Sequence, residues 1–543
     1  MRGFMSSKHW ETIWHPFRAI EVHYNEGGWK RLSQGSLKAW PSFGEVKIDK
    51  EIDWDIDPFN NKTWKLYFHS LNWTYSYLWG IDNDLSTHAK LHDVLSQYID
   101  YLQSEDIDEM AWFDHTTSDR LCAISAIILH PSSKHMAPDL LENLNKIIGR
   151  HITKICEYYD SKFWFDSNHG VFHALALINI SRLYSVGPND ENVLTIGVDY
   201  LKISLKGILS IDEGISLEQS AYYHQLAIEL VDSIDETYLE MVGIYKNEFI
   251  EKMTEANYWF TSSNRKLIPI GDTSVISKAS EKHMPVNAPK EFLKTYLQGG
   301  ISIVKHESAD GVNHFAMLHR EKRAPHGHYD ALSVILEHNN HRFLVDSGGP
   351  YEYGTKLRYE YFMSSFAHNV LLVDNNPHQS GAKFLRADKI EEGIFLIEAE
   401  HQGYNPMIHN RTCIVINDIG LIVIDKLRNV TKETKLEFIW HLDPKCSYDE
   451  INSIISNESQ NITHWSSEDI STNVNSHEDS KNSWVTDKIS SKIESKLLIN
   501  TMITSEDKNV LNTFGYNGKI ECEISGNSIK CIYNDTKIKI KIR

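Results

Sequence analysis

The stretch His326-Gly-His328-Tyr-Asp330 sets two imidazoles and a carboxylate at alternate positions. If it is extended, successive side chains point to opposite faces, so His326, His328 and Asp330 share one. Such a face suits a metal ion or a proton-transfer site. Asp346-Ser-Gly-Gly349 and Ala367-His368-Asn369 follow downstream and supply the rest of a three-ligand set. The flanks at 331–336, 343–345 and 370–373 are apolar and read as strands, which would hold such ligands on rigid backbone. With 28 His in the chain, a single one carries little weight, and the clustering with carboxylates is the signal.

A second set lies in a more helical part of the chain. Asn168-His169 opens a segment whose apolar positions continue through Phe172, Leu175 and Leu177, and Glu218-Gln-Ser-Ala-Tyr-Tyr-His224 sits on a later amphipathic segment. In isolation, Asn168 reads as a helix cap and Tyr223 as a buried tyrosine.

The elements that must position these residues fall into two kinds. The 543 residues allow two to four domains, and 41% hydrophobic with 11% aromatic content gives a packed core rather than disorder. Residues 1–50 read as irregular, punctuated by Gly27-Gly28, Gly35 and Pro41, and a Trp-rich segment follows. From about 75 to 260 the apolar spacing is three and four: Leu91, Val94, Leu95, Tyr98, Ile99 and Leu102 predict one helix, and 118–129, 171–184 and 217–234 predict others. Helix pairs of this length suggest an (α/α) incomplete toroid over 51–285. A polar stretch with Pro285 and Pro289 reads as a linker. Beyond it, over 286–543, short alternating runs bounded by turn residues predict an antiparallel β-sandwich that ends in the strictly alternating run 537–542. Residues 453–483, rich in Ser, Asn and charge, read as exposed loops with weak strands.

A net charge of −19 argues against a sequence-independent grip on nucleic acid, yet leaves room for an acidic polysaccharide held by a local basic cleft. The six cysteines form no Cys-x-x-Cys pair, so neither a zinc knuckle nor a disulfide framework is indicated. No apolar run follows the basic residues at the N-terminus and no segment is long enough to span a membrane. The expectation is a cytoplasmic protein, or a secreted or periplasmic one whose leader lies outside this sequence.

Taken in order, these pieces resemble the heparinase II/III-like polysaccharide lyases, relatives of the oligoalginate lyases. The resemblance rests on the Trp-rich segment, Ala111-Trp112 with Arg120, Asn168-His169, Glu218-Gln-Ser-x-x-Tyr-His224, Ile270-Gly-Asp272, His326-x-His328-x-Asp330, Asp346-x-Gly348 and Ala367-His-Asn369, spread over about 50–445. It implies an N-terminal (α/α) toroid and a C-terminal antiparallel β-sandwich. It makes Asn168 and His169 the contacts for a uronate carboxylate, Tyr223 the catalytic tyrosine and His326 the catalytic histidine, and puts His224 and Tyr353 beside the substrate, with Tyr351 nearby. His328, Asp346 and His368 match the family's metal ligands, with zinc the first expectation and manganese the second. Where some relatives use a Glu three residues after the His matching His169, this chain has Phe172.

The chemistry such a family performs needs these residue types. Removing the C5 proton of a uronate is easier once its carboxylate charge is neutralised by hydrogen bonds, the part Asn168 and His169 would play. A base must reach C5 and an acid the leaving oxygen at C4. Tyr223 suits both when the two lie on one side of the ring; otherwise His326 is the base and Tyr223 the acid. A glycoside hydrolase would need two carboxylates at a set separation, and Asp114, Asp119 and Glu218 are available but not paired by sequence. A non-catalytic acidic-glycan-binding protein is the third reading, and the intact Tyr223 and His326 weigh against it. Oligomeric state is left open.

Overall fold

The computed structural model describes residues 10, 13–48, 50–85, 87–181, 183, 190–352, 354–467, 470–475, 483–488 and 491–542. The chain divides into two compact units. One comprises Met1–Ile208 with Leu230–Lys246, the other Leu209–Glu229 with Asn247–Arg543. This differs from the division expected at 285: Leu209–Glu229 and the chain from Asn247 onward belong to the second unit.

The first unit is helical. Two helices form its centre: Asp114–Leu129, buried continuously from Asp114 to Ile127, and Asn168–Ser181, buried from Gly170 to Ile180. A helix buried on every face is a core helix, which explains why neither shows a one-sided apolar pattern. The outer helices do show one. His88–Gln103 buries Leu91, Val94, Leu95, Tyr98, Ile99 and Leu102, the six positions expected from sequence, and Pro138–Ser161 buries Leu140, Leu144, Ile147, Ile148, His151 and Ile155. Arg120 lies wholly inside. It donates from Nε to His151 Nε2 (2.8 Å) and from Nη1 to Tyr98 Oη (2.9 Å) and the His69 carbonyl (3.1 Å), and its guanidinium stacks over Trp112. These bonds offset part of the cost of burying a guanidinium, and they tie together three helical segments.

The second unit is built on antiparallel sheets. A five-stranded meander runs Leu293–Tyr296, Ile301–Ser308, Gly311–Leu318, Val334–His338, His341–Leu344. A four-stranded sheet contains Leu371–Val373 and Thr434–His441, and an eight-stranded sheet contains Met407–Ile416 and Gly420–Arg428. Their inner faces share one core: Phe315, Leu336 and Phe343 from the first, Phe438 and Trp440 from the second, Phe395, Val423 and Phe514 from the third. The other face of the meander buries Ile303, Ala316, Leu318 and Ile335 against Ala221, Trp259, Phe260 and Ile270. That second core is why the start of the helix Ala221–Ser233 belongs with the sheets rather than with the helical unit.

The expectation of an irregular N-terminal stretch changes: among its described residues lie helices Ala19–His23 and Glu26–Ser33. Within 453–483, read as exposed loops with weak strands, Ile454–Asn457 and Gln460–Ser466 are strands of the eight-stranded sheet, with Ile455 and Ile462 in the core. Just before the polar stretch with Pro285 and Pro289, Ile268, Ile270 and Asp272 are buried. Among the described residues no helix is long and apolar enough to cross a membrane.

Candidate active site and metal-binding group

The segment 326–330 is a loop, not a strand. Its backbone groups bond outside any ladder: the Asp272 N–H donates to the His326 carbonyl (2.9 Å), the Tyr329 N–H to the Met363 carbonyl (2.9 Å) and the Gly327 N–H to the Ala324 carbonyl (3.0 Å). The three side chains therefore do not act as one face. Asp330 pairs instead with Arg320, Nη1 to Oδ2 at 2.6 Å, both buried. His326 and His328 converge on a residue of another segment, Asp272.

Asp272 is fully buried and accepts three side-chain hydrogen bonds. His326 Nδ1 lies 2.9 Å and Arg358 Nη2 2.8 Å from its Oδ2, and His328 Nε2 lies 3.2 Å from its Oδ1. Burial disfavours its charge, but the bonds from His326, His328 and Arg358 outweigh that and hold the carboxyl well below the usual carboxylate range. An ionised carboxylate only accepts, so the ring nitrogens facing it carry the protons. In their neutral forms His326 is then the Nδ1–H tautomer, with Nε2 as its basic nitrogen, and His328 the Nε2–H tautomer, with its lone pair on Nδ1.

Tyr223 sits in the first turn of Ala221–Ser233. Ser220 precedes that turn: its hydroxyl accepts from the Tyr223 N–H (3.3 Å) and meets Thr273 Oγ1 at 2.8 Å. This N-terminal cap fixes where Tyr223 emerges. Its ring lies parallel to that of His326, centroids 3.4 Å apart at 15°. Glu218 Oε1 lies 3.8 Å from His326 Nε2. Burial pushes the Glu218 carboxyl up to about 7, so near neutrality it both holds and releases a proton. Tyrosine, histidine, an orienting carboxylate and a neutral-range acid thus meet within one unit.

His328, Asp346 and His368 also come together: one potential ligand atom from each lies within 4.8 Å of the others, and all three are buried. His368 Nδ1 lies 2.7 Å from Asp346 Oδ2, and the Gly348 N–H donates to Asp346 Oδ1 at 2.9 Å. Burial works against the charge of Asp346, but His368 prevails and keeps its carboxyl low. His368 Nε2 and His328 Nδ1 are then lone-pair nitrogens in their neutral forms, and both are buried without a hydrogen-bond partner. Two such nitrogens beside a carboxylate fit a divalent cation of imidazole and oxygen preference. Asn369 fixes this group from behind: its Nδ2 donates to the Val334 and Val345 carbonyls and its Oδ1 accepts from the His441 N–H.

The helical unit carries the other expected residues. His169, at the start of Asn168–Ser181, bonds through Nδ1 to Asp114 Oδ2 at 2.5 Å and stacks on Trp164, centroids 4.6 Å apart at 14°. Asp114 is buried, which disfavours its charge, yet the His169 bond prevails and holds the carboxyl below the usual carboxylate range. By the same logic His169 donates from Nδ1 and keeps Nε2 for another partner. Asn168 is half-buried beside it. Phe172 packs edge-on against His115 and Trp14, an apolar contact where some relatives carry a Glu.

Other expectations are corrected. His224, expected at the substrate, is fully buried, with Nδ1 accepting from the Ser216 N–H (3.1 Å) and Nε2 at 2.9 Å from the Met253 carbonyl. Both nitrogens are engaged in the core, so it is a structural histidine. Tyr353 lies outside the described residues, and Tyr351 stacks on Phe362. Sequence reasoning gave no role to Asp272, Arg358 or Arg320. Asp272 lay in a quoted motif, whereas Arg358 stands in a π-helical turn, Arg358–Phe362, that no periodicity announces.

Residues 291–513 match the family Heparinase II/III-like, C-terminal. No curated protein sequence matches the chain. Among solved structures, a heparinase III superposes with a TM-score of 0.74 at 15% identity, covering 99% of this chain and 94% of that one. The heparan sulfate lyase HepC from Pedobacter heparinus gives 0.71 at 14% identity, covering 99% and 93%. A heparinase III gene product gives 0.74 at 14%, covering 97% and 92%. The chain therefore shares the fold of these structures, and its residues 291–513 are similar to the heparinase II/III-like C-terminal domain.

Proposed function

We propose that the protein is a polysaccharide lyase that cleaves a uronic-acid-containing polysaccharide by β-elimination, a glycosaminoglycan of the heparan sulfate class first and alginate second. The observation that carries this reading is the Tyr223–His326 pair, parallel at 3.4 Å, with His326 anchored through Nδ1 on Asp272. The likeness of the fold to heparan sulfate lyase and heparinase III supports the choice of polymer.

Elimination takes the C5 proton, breaks the C4–O bond, forms the C4=C5 double bond and returns a proton to the leaving oxygen. His326, with Asp272 holding the tautomer, accepts the C5 proton at Nε2 when base and acid act from opposite faces. Tyr223 donates to the leaving oxygen, and it serves as both base and acid when they act from one side. Asn168 and His169 neutralise the uronate carboxylate, His169 from the nitrogen not bound to Asp114. His328, Asp346 and His368 would hold a divalent ion, zinc before manganese. When bound, that ion supplies positive charge beside Asp272 and fixes the loop that carries His326. The hydrolase alternative is disfavoured because Asp114 and Asp119 are buried behind His169 and His115, neither available as the second carboxylate of a pair.

Substitution tests the assignment. Tyr223→Phe is expected to lower kcat by at least about 10²-fold, as loss of a general acid–base group does, while calorimetry still detects substrate binding. Turnover at the wild-type rate would remove Tyr223 from the mechanism.

A further inference from the structure

We propose that Gln219 is the positioning residue that holds the His326 loop in register with Tyr223; the inference rests on the lyase reading and adds a residue to it. Gln219 adopts φ +62°, a left-handed conformation that a non-glycine residue holds only when its surroundings impose it. Those surroundings are specific. Its side-chain Nε2 donates to the Lys322 carbonyl at 2.6 Å, and its Oε1 accepts from the Ala324 N–H at 2.9 Å. Its own carbonyl accepts from Arg320 Nη2 at 2.9 Å, and the same guanidinium holds Asp330. One residue therefore grips the loop just before His326 through its amide fork, and just after it through Arg320 and Asp330.

Packing closes the remaining freedom. A Cβ at Gly327 would strike the Gln219 side chain, and one at Gly271 would strike the Gln219 carbonyl, so the glycines on either side of the site exist to let this residue in close. Gln219 also lies between Glu218 and the cap Ser220, so its clamp joins the acid, the helix start and the loop. The loop has no strand pairing to hold it, and a parallel ring pair at 3.4 Å tolerates little slippage. The left-handed backbone aims the amide at 322 and 324, and the four-atom reach of Gln fits both bonds. Glutamate would present an oxygen to the Lys322 carbonyl and repel it.

The test separates the clamp from mere stability. Glycine is at ease at φ +62°, so Gln219→Gly is expected to melt at the wild-type temperature or above it. Hydrogen–deuterium exchange of the full chain is expected to show faster exchange over 322–327. On the cleaved polysaccharide kcat should fall by about 10²-fold, the cost of misplacing a reacting group, with KM little changed. Gln219→Glu is expected to reproduce the kcat loss. A Gln219→Gly protein with wild-type loop exchange, or with wild-type kcat, would overturn the proposal. Faster exchange in the variant, with a wild-type chain that cleaves no uronate polymer, would support the clamp and overturn the lyase reading instead.

Discussion

Asp272 imposes the proton pattern of two histidines at once: one of its oxygens faces Nδ1 of His326, the other Nε2 of His328. The lone pair of the first is thereby left for chemistry and that of the second for a metal, from one buried carboxylate. Glu218 adds a titrating group whose consequence can be measured. Its folded carboxyl titrates near 7 against 4.5 ordinarily, burial being the cause. A raised carboxyl favours the protonated fold, so this group's contribution is complete below about pH 4.5 and is lost as the pH rises through 7. Glu218→Gln keeps the neutral form at every pH. The melting temperature of the wild type should therefore fall more steeply than the variant's between about pH 5 and pH 8, by the equivalent of at most about 3 kcal/mol. Parallel profiles would show that Glu218 is not held protonated. At this scale the sequence told much about identity and little about partnership. His326, His328, Asp346 and His368 stood out by type and spacing. Asp272, which binds His326 and His328, and Arg358, which binds Asp272, are separated from them in the chain, and distance in sequence hides a hydrogen bond. His224 misled because a histidine in a motif reads alike whether its nitrogens face a substrate or a backbone.

Three segments without long-range ladder pairing meet at the metal group: the loop of His328, the turn after Asp346 and the short 3-10 turn Ser365–Ala367 that delivers His368. A cation shared by the three would cross-link them. His328→Ala is expected to abolish metal content by elemental analysis and to lower the melting temperature, and a chelator should destabilise the wild type but not the variant. Unchanged metal content would take His328 out of the ligand set. Elements were legible where one face decides the pattern. The helix His88–Gln103 shows its six buried positions directly in sequence. The condition that 326–330 be extended is not met: alternation of His, His and Asp imitates the period of a sheet, whereas the backbone bonds to Asp272, Met363 and Ala324 rule out a ladder. The strands of 454–466 read only weakly in sequence because they are largely polar, with Ile455 and Ile462 entering the core.

Across the molecule, the change from a period near 3.6 to a period of two revealed a helical part followed by a sheet part. It could not reveal that Leu209–Glu229 joins the sheets, because that choice is made by Ala221 packing on Ile303, Leu318 and Ile335 rather than by local pattern. The consequence is functional: Glu218, Gln219 and Tyr223 are delivered to the same unit as His326 and Asp272. The central claim, that this arrangement eliminates across C4 and C5 of a uronate, is tested most directly by ultraviolet absorbance over time with the purified protein against heparan sulfate, other glycosaminoglycans and alginate. The account predicts a steady rise from the conjugated unsaturated uronate on at least one of them, strongest on heparan sulfate. New reducing ends without that absorbance would mean hydrolysis and would contradict it.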